Sequence, residues 1–373
     1  MDKTKVIFYN TTLLKGGTDT YMFEVIRNID KSKFSVDVII KNGDKVDDFM
    51  FDELKKLGAN VFLATGSFSA RIKYLAKFFK LKKNYYDVAH INATSQGTGL
   101  ISYFAKHYAK IPKVIFHSHM GGNDHKKDLV DKIGTHLMFK YSDVFTSCSN
   151  RASKFMYGEN FLKKHEVKIL KNSVDTNKFT FDPRIQEKIR LDLNIDKDTF
   201  VLLHVGRFAK QKNHKFLIDV FGEVLNKNQK SMLLLIGDGT LFDECKAQVQ
   251  EMNLSDSVKF LGLKNNVNEY MQAADCFVMT SLHEGLPIVA VEAQATGLPC
   301  VLSSNISSET KLSENVEFVD LSLGKNNWAE KIISKKTKER KSGKETLTKH
   351  KFDKESAIAE IESLYLSKSA KIK

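Results

Sequence analysis

Two cations follow an apolar run in the second half of the chain, in the segment LHVGRFAKQKN. Arg207 and Lys212 come directly after a strand-like pattern, so we expect both at the carboxyl edge of a parallel sheet, where open α/β sheets bind ligands. A guanidinium can hold phosphate oxygens with paired hydrogen bonds, and an ammonium supplies a compact charge. The pair predicts a diphosphate site, and a solvated basic loop is the alternative.

A second group of polar residues lies in HEGLPIVAVEAQATGLP. Glu284 is predicted in the loop after the strand CFVMTS, and Glu292 lies eight positions on, in a helix predicted to start near Pro287. The backbone amides from Gly285 and Leu286 onward would open a helix N-terminus, which suits an anion, while carboxylates accept hydrogen bonds from sugar hydroxyls. The alternative is that Glu284 caps the helix and Glu292 is a surface residue.

Short apolar runs alternate with longer amphipathic patterns in both halves of the chain. In the first half the runs are KVIFYN, SVDVII, NVFLA, DVAHIN, KVIFHSH and DVFTSCS, and in the second half they are TFVLLHVGR, SMLLLIGDG, SVKFLG, DCFVMTS and PCVLSS. Alternation of this kind predicts repeated βα units over parallel sheets. The turn after SMLLLI carries Gly237 and Gly239, which fit a tight strand-to-helix connection.

The fold class is therefore α/β, with two facing Rossmann-like domains and a cleft between them. A chain of 373 residues exceeds what one core usually supports, and a single sheet of about a dozen strands would exceed the usual range. The polar segment 175–198 is the expected connection, and 331–351 is expected to be a solvated surface. We predict domains over 1–175 and 176–350, then a C-terminal helix and tail over 351–373 that packs back on the first domain.

Composition narrows the classes of partner. Fifty-eight Lys and Arg against 45 Asp and Glu give a net charge of +13, which favours nucleotide phosphates, acidic lipid or nucleic acid. Nucleic acid is disfavoured because no recognition motif is present. Four scattered cysteines indicate neither a disulfide framework nor a zinc site, and no apolar run has the length of a signal or spanning segment. A cytoplasmic location follows, with peripheral docking on the inner face of the cell membrane left open.

The first half adds two glycines after its first strand. Gly16 and Gly17 precede a predicted helix, and glycines allow close approach of the backbone to a ligand. The pattern is not GxGxxG, so a nicotinamide cofactor is not indicated. A plain turn is the alternative.

Histidines end the strand in FHSHMGG. His117 and His119 are predicted to point to opposite faces, with His119 nearer the sheet edge. A two-histidine metal site and a structural histidine are the alternatives, but no carboxylate stands at the usual ligand spacing. Asp47 and Asp48 lie in a polar loop rather than in a DxD donor site, so neither a metal nor another cofactor is expected.

The pairing of GR-x4-K with E-x7-E in EGLPIVAVE resembles the retaining glycosyltransferases of the GT-B fold, family 4, and within them bacterial enzymes of capsule, exopolysaccharide or O-antigen synthesis. NSVD over 172–175 is similar to the NGVD that links the domains in that family, with Ser173 in place of Gly, so the resemblance spans most of the chain. It implies metal-independent transfer of a hexose or N-acetylhexosamine from a nucleoside-diphosphate sugar, UDP first and GDP next, to a glycan or lipid-linked acceptor.

The resemblance also implies the roles of single residues. Arg207 and Lys212 would bind the donor diphosphate and stabilise the leaving group, Glu284 would face the transferred sugar, and Glu292 would bind the ribose hydroxyls. His119 would reach the sugar, and Gly16 and Gly17 would lie against the diphosphate. The remaining donor-binding residues are Leu263 near the base, with Gly262, and Gly285, Leu286 and Pro287 at the helix start.

Two questions stay open at this stage. The stretch ARIKYLAKFFKLKKNYY mixes lysines with aromatic residues in a predicted helix, which suits an anionic leaflet but also an ordinary helix with Ile72, Leu75 and Phe79 packed inward. A sugar-nucleotide epimerase of the same fold and a non-catalytic sugar-binding partner subunit are the competing functions.

Overall fold

A computed structural model describes residues 2–14, 16–119, 129–336 and 340–367. The chain divides into two compact units. Unit 1 comprises Met1–Ser173 with Lys354–Lys373, and unit 2 comprises Val174–Asp353. The first boundary thus falls at Ser173 and Val174, inside the NSVD segment.

Within the described residues, unit 1 is built on a seven-stranded sheet in the order β3-β2-β1-β4-β5-β6-β7, and every pair of neighbours is parallel. Strands rich in Val, Ile and Phe are buried on both faces by helices, as parallel sheets require. Their bounds are β1 Thr4–Asn10, β2 Phe34–Ile40, β3 Val61–Leu63, β4 Val88–Ala93, β5 Lys113–Ser118, β6 Val144–Ser147 and β7 Lys168–Ile169. The short β7 has no counterpart among the predicted strands.

The helices of unit 1 cover the two faces of this sheet. They are α1 Gly17–Asn28, α2 Asp48–Lys56, α3 Phe68–Leu81, α4 Gly99–Tyr103, α5 Leu129–Tyr141, α6 Asn150–Tyr157 and α7 Glu159–Leu162. A last helix of unit 1 comes from the chain's C-terminus, Lys354–Leu366. It buries Ile358, Ile361 and Leu364 in the same core as Val6 and Phe8 of β1. The apolar spacing of this segment therefore serves packing on unit 1.

Unit 2 has a six-stranded parallel sheet in the order β10-β9-β8-β11-β12-β13 within the described residues. Its strands are β8 Phe200–Val205, β9 Ser231–Ile236, β10 Val258–Gly262, β11 Cys276–Met279, β12 Cys300–Ser303 and β13 Val316–Val319. Its helices are α8 Pro183–Asp192, α9 His214–Lys227, α10 Phe242–Glu251, α11 Val267–Ala273, α12 Ile288–Ala295, α13 Gly324–Ser334 and α14 Lys344–Lys349, so that the C-terminal helix of unit 1 is α15. The prediction missed β13.

Two segments of polar composition, one expected to be the domain connection and the other a solvated surface, contain helices and buried side chains. Residues 175–198 contain α8, and Phe179, Ile189 and Ile195 lie in the core of unit 2. In 331–351, Leu347 is fully buried and the Arg340 guanidinium donates to the carbonyls of three residues around the end of α11. The first segment is therefore part of the core of unit 2, whereas the second is mostly exposed, as expected, and is anchored by a few buried or hydrogen-bonded side chains. Residues 337–339 lie outside the described part.

Each sheet has one place where the chain reverses its direction of growth. In unit 1 this switch point lies between β1 and β4, and in unit 2 it lies between β8 and β11. The loops after such neighbouring strands run to opposite faces and leave a crevice at the carboxyl edge. Predicted site residues follow the switch strands in both units: Gly16 follows β1, Lys212 follows β8 and Glu284 follows β11.

Other expectations concern groups away from these edges. Asp47 is the N-cap of α2, accepting a hydrogen bond from the Met50 amide. All four cysteines are free thiols. Among the described residues, the helices all fall short of the length and apolar character that crossing a bilayer requires.

Candidate functional site

Lys212 and Glu284 form an ion pair at the switch point of unit 2. The ammonium Nζ lies 2.8 Å from Glu284 Oε1, and the two side chains are only 18% and 13% exposed. One partner follows β8 and the other follows β11, so the pair bridges the two strands at which the sheet reverses. The sequence placed both residues at the sheet edge but paired each with a ligand rather than with the other.

Backbone and side-chain hydrogen bonds hold the two loops that carry this pair. The Leu282 amide donates to the Gln211 carbonyl at 2.8 Å, and Gln211 Nε2 donates to the His283 carbonyl at 2.9 Å. Thr280 Oγ1 donates to the Asn213 carbonyl at 3.1 Å. These bonds fix the loops against each other, so the ion pair is held in place before any ligand binds.

The side chain of Lys212 packs against the backbone of Gly206. A Cβ at this position would lie 3.3 Å from Lys212 Cδ and Cε, and 3.1 Å from His204 Nε2. Glycine therefore lets the lysine stem lie directly on the backbone, which directs the ammonium toward Glu284. The GR motif depends on its glycine for this reason.

Two buried histidines lie below the lysine. His204 Nδ1 is 2.8 Å from the Val278 carbonyl, and His214 stacks on Phe208 with ring centroids 4.0 Å apart. Burial lowers the pKa of His204 to about 4, although the hydrogen bond to the Val278 carbonyl opposes the shift. Burial also lowers the pKa of His214 to about 2. The nearby charge of Lys212 lowers both pKa values further. Both rings are therefore neutral near pH 7. The sequence analysis did not single them out, although a histidine inside the apolar run FVLLHV was a signal.

Arg207 extends from the turn after β8 and is exposed. Within the described part of the chain its guanidinium has no carboxylate partner. The turn is held by the neighbouring β9 loop, where the Phe208 amide donates to the Asp238 carbonyl at 3.0 Å. Gly237, at φ +142°, packs so closely that a Cβ would lie 2.0 Å from the Gly206 oxygen. This glycine is required for the two loops to meet.

The helix after Glu284 begins one residue later than predicted. Pro287 is the N-cap and α12 starts at Ile288, so the proline precedes the first turn rather than opening it. Pro287 has no side chain that could cap this turn, which begins at the same sheet edge as Glu284. Glu292 lies inside α12 and is partly exposed. Glu284, which the alternative assigned to capping this helix, pairs with Lys212.

Gly285 and Leu286 form the short link between Glu284 and the N-cap, and both are partly exposed. Leu263 follows β10, and its side chain is 77% exposed. It comes directly after Gly262, whose φ of +66° ends the strand. A side chain so exposed leaves the backbone of this turn open to a planar group.

In unit 1, Gly16 is the N-cap of α1 and Gly17 is its first residue. Asp19 Oδ2 accepts hydrogen bonds from the Gly16 amide at 3.1 Å and from the Leu14 amide at 2.9 Å. A Cβ on Gly17 would meet no atom within 4 Å among the described residues, so packing does not demand glycine there. Close approach of a ligand is a reason that remains for glycine at this position.

His117 and His119 share one face, contrary to the prediction. Their ring centroids lie 4.0 Å apart, because residues two positions apart in a strand point to the same side. His117 is fully buried with Nδ1 3.0 Å from His90 Nε2, whereas His119 is partly exposed. Burial lowers the pKa of His119 to about 3. Alternation therefore gives no argument against metal binding, although the described residues contain no group of three or more metal-ligating side chains.

Three further side chains join His119 that the sequence analysis missed. Asn10, Asp19 and Asn92 are buried and hydrogen-bonded in series to it. Asn10 and Asn92 end the apolar runs KVIFYN and VAHINA. A polar residue at the carboxyl end of two adjacent strands was the available signal.

Unit 1 also contains a cavity of about 180 Å³ close to this edge. Apolar and aromatic side chains such as Phe68, Ile72 and Leu100 line just over half of it, and Lys41, Asp131 and small polar residues line the rest. Burial lowers the pKa of Lys41, and the nearby charge of Arg71 lowers it further. The sequence analysis did not predict this cavity.

Comparisons with known proteins assign this architecture. Residues 185–341 match the family of glycosyl transferases group 1. EpsF of Bacillus subtilis (strain 168), assigned as a glycosyltransferase, is 28% identical over 372 residues, covering 97% of this chain and 96% of its own. A UDP-Gal:alpha-D-GlcNAc-diphosphoundecaprenol alpha-1,3-galactosyltransferase of Escherichia coli is 27% identical over 330 residues, covering 84% of this chain and 82% of its own.

The fold has solved counterparts. The crystal structure of Anabaena HepE in complex with UDP superposes with a TM-score of 0.79 at 18% identity, covering 97% of this chain and 99% of that one. Both units contribute to this match, because it spans nearly the whole chain. The protein therefore has the GT-B fold, and its residues 185–341 are similar to the group 1 glycosyltransferases.

Proposed function

We propose that the protein is a retaining hexosyltransferase that moves a hexose or N-acetylhexosamine from a UDP-sugar to a glycan or lipid-linked acceptor in surface polysaccharide synthesis. The observation that carries this proposal is the Lys212–Glu284 pair, preorganised at the switch point of unit 2 with the exposed Arg207 on the same loop. Cations at this edge suit a diphosphate, and a carboxylate beside them suits a hydroxyl-rich sugar.

The ion pair gives each partner a role toward the donor. The Lys212 ammonium lies 2.8 Å from Glu284 Oε1, and it is assigned to the phosphate oxygens of the donor. Glu284 holds Lys212 toward the diphosphate, and its carboxylate is assigned to a hydroxyl of the transferred sugar. Glu292, one α12 turn beyond the helix start, is assigned to the ribose hydroxyls.

The proposed reaction is a front-side displacement at the anomeric carbon. The bond from that carbon to the diphosphate oxygen breaks, and its electron pair stays with the leaving UDP. The acceptor hydroxyl forms the new bond on the same face and gives its proton to the leaving phosphate oxygen. Arg207 and Lys212 stabilise the charge that builds on the diphosphate, which is stronger in the transition state than in the ground state.

These two cations supply the charge that a divalent metal would otherwise supply, so we propose that transfer needs no metal. The neutral His119 is assigned to contact with the transferred sugar, and Gly16 and Gly17 to contact with the diphosphate. Support for UDP comes from the galactosyltransferase relative, which is named for UDP-Gal, and from HepE, whose structure contains UDP.

The acceptor is assigned to unit 1. The cavity beside Phe68 combines apolar walls with the Lys41 cation, which suits an acceptor that has both apolar and anionic parts. On α3, Leu75 and Phe79 are buried while Tyr74 and Leu81 are exposed. The exposed lysines and aromatic residues of this helix support peripheral contact with an anionic membrane.

Calorimetric titration of the full chain with UDP and GDP in the presence of EDTA tests the donor site. We expect metal-free binding of UDP that is lost in Lys212→Ala and Glu292→Ala and kept in Lys210→Ala, an exposed lysine on the same loop. If neither nucleotide binds, the transferase proposal fails and a partner subunit becomes the better assignment. If UDP-sugar is converted to another sugar without an acceptor, the epimerase is correct.

A further inference from the structure

A series of hydrogen bonds connects the start of α1 to His119. Asp19 Oδ1 accepts from Asn10 Nδ2 at 3.0 Å, Asn10 Oδ1 accepts from Asn92 Nδ2 at 2.6 Å, and Asn92 Oδ1 lies 2.9 Å from His119 Nε2. Asp19 is 3% exposed, and both asparagines are fully buried. We call these four side chains the relay.

The carboxylate sets the direction of every bond in the relay. Asp19 Oδ2 accepts from the amides of Leu14 and Gly16, and Oδ1 accepts from Asn10 Nδ2, so its hydrogen-bond partners among the described residues are all donors. A proton on either oxygen would meet another donor, and the ionised form alone fits this environment. Burial raises the pKa of Asp19, and these bonds oppose the rise.

The direction passes from residue to residue because an amide has one donor end and one acceptor end. With its nitrogen on Asp19, Asn10 offers only oxygen to Asn92, and Asn92 then offers only oxygen to His119. His119 Nε2 must therefore carry the proton. Since the ring is neutral, Nδ1 has a lone pair, and within the described residues it makes no hydrogen bond.

We propose that Asp19 is a positioning residue that, through Asn10 and Asn92, fixes His119 as the Nε2–H tautomer and so presents Nδ1 as an acceptor for a substrate hydroxyl. The identity of that hydroxyl, on the transferred sugar, rests on the proposed function. The tautomer does not, because it follows from the relay alone. The same carboxylate caps α1 at Gly16, so one residue orders both the glycine loop and the histidine.

The substitution Asp19→Asn gives the sharpest consequence. The new side chain has one oxygen, which satisfies two donors if it faces Leu14 and Gly16 but only one if it faces Asn10. The nitrogen of the new side chain must then donate to Asn10, whose side-chain amide rotates to offer its oxygen. The amide of Asn92 rotates in response, so that it offers its nitrogen to His119. His119 Nε2 receives a hydrogen bond, its proton moves to Nδ1, and the nitrogen offered to substrate changes from acceptor to donor.

The test is ¹⁵N NMR of the histidine rings in the full chain, because the two nitrogens of a neutral ring differ in shift according to which one is protonated. Comparison with His119→Gln identifies the His119 signals. We expect Nε2–H in the wild type and Nδ1–H in Asp19→Asn. Asp37→Asn is the matched control, since Asp37 is a buried carboxylate of the same sheet that is bonded to Asn60 and Tyr86 instead, and it should leave His119 unchanged.

An Nδ1–H tautomer in the wild type, or no change in Asp19→Asn, overturns the proposal. Asn92→Leu is a second variant in case Asp19→Asn does not fold, and it should leave His119 without a single preferred tautomer; a retained Nε2–H form would contradict the relay. With a UDP-sugar and an acceptor, Asp19→Asn should lower kcat about tenfold, the scale of one misdirected hydrogen bond. If the tautomer changes but kcat does not, the relay is supported and the assignment of His119 to contact with the sugar is contradicted.

Discussion

The two sheet edges that carry the candidate site residues differ in charge. At the edge of unit 2 the polar groups are ions: Lys212 pairs with Glu284, and Arg207 is exposed beside them. At the edge of unit 1 the group nearest solvent is His119, which is neutral because burial depresses its pKa, and its charge source Asp19 lies three hydrogen bonds away. One edge is arranged for a charged ligand and the other for a hydroxyl.

This difference follows from what surrounds each group. Lys212, whose stem lies on Gly206, has a carboxylate oxygen 2.8 Å from its ammonium. His119 packs against His117 and Tyr21 and contacts no carboxylate among the described residues, so burial keeps it neutral and Asn92 orients it. Fixed charges and fixed dipoles are two ways to preorganise a site before substrate arrives.

Removing the Lys212 ammonium of unit 2 should have the largest effect on the reaction. In Lys212→Ala we expect the transfer rate to fall by about 10²-fold or more, because charge on the leaving diphosphate loses its nearest cation. Initial rates with a UDP-sugar and EDTA measure this, with Lys210→Ala as the control. An unchanged rate in Lys212→Ala would mean that the charged edge does not carry the reaction.

A double-mutant cycle measures how strongly Lys212 and Glu284 depend on each other. Lys212→Met and Glu284→Gln should each destabilise unit 2 by leaving a largely buried partner unpaired, and the double variant should cost less than the sum of the two. We expect a coupling free energy of roughly 0.5–3 kcal/mol from a double-mutant cycle in urea. Additive costs would show that the two residues act independently.

Acid should destabilise the protein through its buried histidines. His214 has a pKa of about 2 in the fold, against about 6.5 in the unfolded chain. Below pH 6.5 His214 therefore binds a proton in the unfolded state but not in the folded state. The free energy of unfolding is at its full value above that pH and falls as the pH drops below it. His214→Phe keeps the stacking on Phe208 and should flatten this fall between pH 7 and 5. Equal pH dependence of the urea midpoint in the two proteins would refute this account.

The smallest effect concerns the exposed lysines of unit 1. Lys73→Glu and Lys77→Glu on α3 should weaken binding to vesicles with anionic lipid by about 1 kcal/mol for each lysine removed. Lys246→Glu, an exposed lysine of unit 2, is the matched control in the same sedimentation assay. If all three variants bind alike, the attraction comes from net charge and not from this helix.

Much of the fold was readable from local pattern. Alternating apolar runs located eleven of the strands, and glycines and cations after them indicated where a diphosphate would bind. The missed strands, Lys168–Ile169 and Val316–Val319, are edge strands of two and four residues, and strands this short carry little periodic signal. Segment 175–198 was misjudged, and the burial of Leu347 within the mostly exposed segment 331–351 was missed, because burial of single residues is decided by packing and not by average polarity.

The sequence by itself determined the α/β class, the edge residues Arg207, Lys212 and Glu284, and the resemblance to a glycosyltransferase family, because strand period and motif spacing are properties of neighbouring residues. Only the tertiary structure decided that Lys212 pairs with Glu284, that His119 shares a face with His117, and that Asp19 reaches His119 through two asparagines. The physical reason is that neighbouring parallel strands bring together residues far apart in sequence, such as Asn10 and Asn92, which are 82 positions apart. Charge compensation and hydrogen-bond direction are set by those distant neighbours.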